Sequence, residues 1–70
     1  MPVTSSFVVS GMTCDHCVHA VTEEVSAIGG VHDVRVDLGT GQLVVISETD
    51  IPYAAVAAAV DEAGYSLTAG

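Results

Sequence analysis

Lysine is absent from this 70-residue chain, and Arg35 is its single basic residue beside nine acidic ones. A row of nucleic-acid phosphates needs Lys or Arg to displace its counterions, so a net charge of −8 excludes nucleic acid as a partner. The same field repels anionic lipid headgroups and attracts a protein that offers Lys or Arg around its docking surface. No apolar run approaches the ~20 residues that cross a bilayer, and Met1 to Ser6 lack the basic and apolar regions of a signal peptide. A cytoplasmic address, with no embedding in the membrane, is the expectation. Cysteine is scarce as well. Two cysteines in one C-x-x-C make no disulfide framework, and a reducing cytosol keeps them as thiols.

What is present is hydrophobic: half the residues, mostly small Val and Ala, which is ample for a folded core in a chain of this length. Residues 1–70 fit one domain, without repeat, linker or low-complexity tract. From Thr4 to Ser10 the chain reads as a strand with Ser5, Phe7 and Val9 on one face, ended by Gly11. Apolar residues then recur at Cys17, Val21, Val25 and Ile28, which predicts a helix from about Asp15 to Ala27, capped through Gly29-Gly30. Val34, Val36 and Leu38 alternate with Asp33, Arg35 and Asp37 in a second strand. Gly39-Thr40-Gly41 turns it into an antiparallel third strand around Leu43 and Val45. Asp50 offers a capping oxygen, Pro52 suits a first helical turn, and Val56, Ala59, Val60 and Ala63 form a stripe that stops at Gly64. Tyr65 to Thr68 can form a last strand. The order β-α-β-β-α-β predicts an α+β, ferredoxin-like sandwich, a four-stranded antiparallel sheet with two helices on one face.

In Gly11-Met12-Thr13-Cys14-Asp15-His16-Cys17, two cysteines three apart straddle a helix start, so their sulfurs can converge on one ion. Thiolate is the metal-binding form, and the unpaired N–H groups and dipole at a helix N-terminus favour it. Soft thiolates select Cu(I), whereas Zn(II) wants four ligands in a closed site and only two cysteines stand at this place. A site with two protein ligands leaves room for a third, so an incoming thiolate can attack before an outgoing one leaves.

The run G-M-T-C-D-H-C at residues 11–17, together with Ala63-Gly64-Tyr65 and the element order, resembles the heavy-metal-associated domain, and within it the bacterial copper chaperones. The resemblance extends over nearly the whole chain. It implies that Cys14 and Cys17 bind Cu(I), that Met12 tucks inward, and that Tyr65 stands beside the site. It further implies delivery of copper to a copper-transporting P-type ATPase or its metal-binding domain, by a monomer or a copper-bridged dimer. Zinc-handling relatives tend to place an acidic residue directly before the first cysteine. Here Thr13 holds that position and Asp15 comes after.

Plainer readings stand beside these. Met12 serves better as an apolar filler beneath the loop than as a thioether ligand. His16 reads as solvent-exposed between the ligands, with third ligand and tuner of thiolate basicity as its other readings, and His19 and His32 as surface residues. Tyr65 either packs its ring at the sheet's end or turns its phenol toward a sulfur. Glu23, Glu24, Asp61 and Glu62 lie opposite the apolar stripes, where charge serves solubility first. No nucleophile, base and orienting group are arranged for catalysis, so the chain is expected not to be an enzyme. The rivals to a copper carrier are a zinc or mercury carrier of the same family, a small thiol oxidoreductase, and a detached domain that only regulates a larger transporter.

Overall fold

The computed structural model describes residues 2–13 and 15–69, the side chain of Ala69 excepted. In β1 (Val3–Ser10) Phe7 and Val9 are buried and Ser5 half-buried, while Thr4, Ser6, Val8 and Ser10 face outward, as a period of two requires. Strand β2 (Val31–Asp37) turns Val34 and Val36 inward, and β3 (Gln42–Ser47) buries Leu43, Val45 and Ser47. Antiparallel register then lines these residues up across the sheet. Phe7 lies opposite Leu43 and Leu43 opposite Val36, while Ser5, Val45 and Val34 form the next row.

Two helices cover that face. Val21 and Val25 of α1 (Asp15–Ser26) and Val56, Ala59 and Val60 of α2 (Tyr53–Glu62) join the strand residues in one cluster. Five valines and Leu43 are fully buried, each side chain contributing roughly 1.5–3 kcal/mol of apolar burial before entropy is counted. Ser47 is the buried polar residue of this layer, and its hydroxyl donates to the Thr49 carbonyl at 2.6 Å. With β4 (Ser66–Ala69) the sheet order is β2-β3-β1-β4, every neighbouring pair antiparallel. Strand β3 therefore separates β1 from β2, which is the split βαβ arrangement the sequence predicts.

Several local expectations are corrected. Asp50 does not cap α2: Pro52 is the N-cap, and no side chain bonds to that end. Ile51, only 9 % exposed, is drawn into the core, and the carbonyl of Pro52 then receives the N–H groups of Ala55 and Val56. Leu38 belongs to the turn and not to β2, because the Gly41 N–H closes onto the Asp37 carbonyl at 2.8 Å. Gly30 does take a positive φ, but in a turn beyond α1, where the Val31 N–H reaches the Ile28 carbonyl. The last strand begins at Ser66, one residue after Tyr65.

This connectivity brings the end of β1, the start of α1 and the start of β4 to one end of the sheet. The β2–β3 turn braces that end, with the Val9 N–H donating to the Gly41 carbonyl at 2.8 Å. His32 and Glu48 form a solvent-exposed pair, 3.7 Å apart, at the other end.

Candidate metal site

Strand β1 must stop at Gly11, whose φ of +98° turns the backbone out of the sheet. Met12 and Thr13 complete the described part of the connection, and α1 starts at Asp15. Cys17 therefore sits in the first helical turn, where backbone N–H groups have no intrahelical partner. It is 6 % exposed, on the stripe that continues into Val21 and Val25. The Thr13 Oγ1 lies 3.9 Å from the Cys17 Sγ, within the range of a hydroxyl–sulfur hydrogen bond. When Cys17 is a thiolate its sulfur has no proton to give, so Thr13 is then the donor. Cys14 lies outside the described residues.

The other residues singled out by sequence fall into two groups. Met12 is half-buried and packs against the core cluster, and Tyr65 is half-buried beside the same connection, its Cδ1 3.4 Å from where a Cβ on Gly11 would stand. Asp15, His16 and His19 are exposed, and His32 is engaged with Glu48 at the far end. Among the described residues no three His, Cys, Asp or Glu side chains converge as a metal-holding group. The Thr13–Cys17 and Gly11–Tyr65 contacts go beyond the sequence expectations. The four-residue step from Thr13 to Cys17, one helical turn, is the signal that points to the first of them.

The burial of Met12 sets a magnitude. Met12→Ala is expected to lower stability by about 2 kcal/mol, the low end for truncating a core methionine, because the side chain is only half-buried. Urea unfolding followed by circular dichroism measures this, and an unchanged midpoint would mean that Met12 contributes nothing to the core.

Charge is uneven around the site. Arg35, the only basic residue, is paired with Asp33 at 3.2 Å on the exposed sheet edge. Asp15 opens α1, and Asp61 and Glu62, in the last turn of α2, precede the turn that leads to Tyr65; all three are exposed, whereas Glu23 and Glu24 lie toward the other end of α1.

The heavy-metal-associated domain family model matches residues 6–66. The copper chaperone CopZ of Enterococcus hirae is 38% identical over 60 residues, covering 84% of this chain and 87% of that protein. A zinc/cadmium/lead-transporting P-type ATPase of Shigella sonnei is 45% identical over 62 residues, covering 89% of this chain. The chain spans only 8% of the length of the ATPases it matches. Among solved structures, the N-terminal domain of ZntA in the apo form superposes with a TM-score of 0.89 at 38% identity, covering 100% of this chain and 94% of that one.

Proposed function

Because the chain belongs to the heavy-metal-associated domain family, we propose that residues 1–70 act as one copper-carrying domain that holds a single Cu(I) between Cys14 and Cys17. The observation that carries this reading is the G-M-T-C-D-H-C run, with Cys17 set in the first turn of α1 beside Thr13. Two thiolates suit a soft monovalent ion, and among the described residues no three His, Cys, Asp or Glu side chains converge, as a closed four-ligand zinc site would need beside Cys14. The recipient is a copper-transporting P-type ATPase or its metal-binding domain, reached by thiolate exchange in a reducing, cytoplasmic setting. No helix among the described residues is long and apolar enough to cross a membrane. Carriage and handover require no catalytic group on this chain.

A zinc cargo is the second reading, favoured by the 45% identity to the zinc/cadmium/lead transporter. Against it stands Thr13, a neutral residue before the first cysteine. Competitive titration with Cu(I) and Zn(II), under reducing and oxygen-free conditions, separates the two: retention of Zn(II) against equimolar Cu(I) would replace copper by zinc.

Handover has its own expected behaviour. Asp15, Asp61 and Glu62 border the site and attract a basic docking surface, through forces that salt screens over about 8 Å at physiological ionic strength. Stopped-flow transfer should therefore slow with added salt and speed up with acceptor concentration. Neutralising Asp61 and Glu62 to Asn and Gln should slow it more than neutralising Glu23 and Glu24, which lie farther from the site. A rate independent of acceptor concentration would indicate release of free metal and sink the exchange step.

A further inference from the structure

The connection that leads from β1 to Cys17 is held from outside by the end of α2. Gly64 takes a φ of +93°. Its N–H donates to the Asp61 carbonyl at 2.9 Å, and the N–H of Tyr65 donates to the Val60 carbonyl at 3.1 Å. These two bonds are the pair that closes a helix through one left-handed residue, and they fix the direction in which the chain leaves α2. Tyr65 follows at once, half-buried against the core, with its ring edge at Gly11. Ser66 then pairs with Ser10, the residue before Gly11. The path of the chain at Gly64 thus sets both the ring and the strand that flank the β1–α1 connection.

We propose that Gly64 is a positioning residue for the metal-bearing connection: its left-handed turn seats the Tyr65 ring on Gly11 and so holds the backbone that presents Thr13 to Cys17. The consequence for copper rests on the carrier reading above, whereas the geometry does not. Space plays no part at Gly64, since a Cβ there would meet nothing within 4 Å. A methyl group there therefore acts through the backbone angle. Asn accepts the left-handed region far better than a β-branched residue does, which provides two substitutions of opposite expectation at one position.

The experiment uses the metal-free chain carrying Cys14→Ser, so that Cys17 is the one thiol. Two quantities are read: the nuclear Overhauser contact between the Tyr65 ring and the Gly11 Hα protons, and the rate of Cys17 alkylation by iodoacetamide at fixed pH. Gly64→Val should lose the contact and raise the alkylation rate roughly 5- to 30-fold, the change in an opening equilibrium that one disfavoured left-handed residue implies. Gly64→Asn should keep both near their original values. Gly64→Ala replaces the valine variant if that one does not fold, with the same direction expected. Val31→Ala, at the far end of the sheet, is the control for general destabilisation and should leave the contact and the rate unchanged.

The proposal is overturned if Gly64→Val, or Gly64→Ala in its place, retains the contact and the slow rate. It is equally overturned if Gly64→Asn behaves like the valine variant or if Val31→Ala accelerates alkylation as much. Cu(I) titration of the unsubstituted chain is a separate arm. Its failure would end the carrier reading and leave the positioning result standing.

Discussion

Replacing Cys14 and Cys17 together by Ser should abolish tight Cu(I) binding while the domain stays folded. Serine keeps the size and polarity of the ligand positions and removes their softness, and a hard hydroxyl does not hold a soft monovalent ion. The loss should exceed the roughly 10–100-fold typical of removing an outer partner of a metal ligand, because here the donors themselves disappear. The fold should survive since the cluster of Phe7, Val9, Val21, Val25, Leu43, Val45, Val56 and Val60 is built from residues other than Cys17. Cys17 is buried, and at 3.9 Å the Thr13 hydroxyl lies beyond O–H···O reach, so a serine hydroxyl there costs about 1–3 kcal/mol, less than the core supplies. Competition against a colorimetric Cu(I) chelator measures the affinity, and far-ultraviolet circular dichroism checks the fold. Unchanged affinity in the folded double variant would mean that the metal sits elsewhere.

Much of this architecture was legible in the residue pattern because period-two and period-3.6 patterns depend only on neighbours along the chain. Phe7 and Val9 in β1, Leu43 and Val45 in β3, and the valines of both helices all fall on the faces that their spacing indicates. Element ends were less legible, since they depend on what else the chain must satisfy. Asp50 has the right chemistry for a cap, but burial of Ile51 keeps the chain extended two residues further and hands the helix end to Pro52. Leu38 has the right hydropathy for a strand, but the bond from Gly41 to Asp37 ends the strand before it.

The site divides along the same line. The start of α1 at Asp15 and the place of Cys17 in its first turn follow from the motif and the element order, and the family resemblance implies Tyr65 near them. What holds the connection in place does not, because Gly11 meets Tyr65 across the fold and not along the chain. The turn at Gly64 belongs to that long-range contact as well: two bonds among Val60, Asp61, Gly64 and Tyr65 form locally, and the chain then carries the Tyr65 ring to Gly11 at the same end of the sheet. Local chemistry fixes which residues can bind, and tertiary packing fixes how firmly they are held.

The largest stability effect of a single methyl group is expected at Gly41. Two separate costs coincide there. Its φ of +75° lies in the left-handed region, which costs a residue with a Cβ about 1–2 kcal/mol. An added Cβ would also stand 2.6 Å from the Val9 carbonyl oxygen, closer than such atoms approach. That oxygen is backbone and has little freedom to retreat, because Val9 donates to Gly41 at 2.8 Å and pairs with Leu67 across β4. Forcing the two segments apart adds about 1–3 kcal/mol, as overpacking does elsewhere. Gly41→Ala should therefore lower the unfolding free energy by about 3 kcal/mol, a large share of the roughly 4–10 kcal/mol that ~0.05–0.15 kcal/mol per residue gives for 70 residues. Gly30→Ala separates the two costs, since Gly30 has a φ of +90° and open space where a Cβ would stand. It should lose only about 1 kcal/mol. Urea midpoints with an unchanged slope give both numbers. Equal losses in the two variants would show that the backbone angle alone requires glycine at position 41, and that the close approach to Val9 does not.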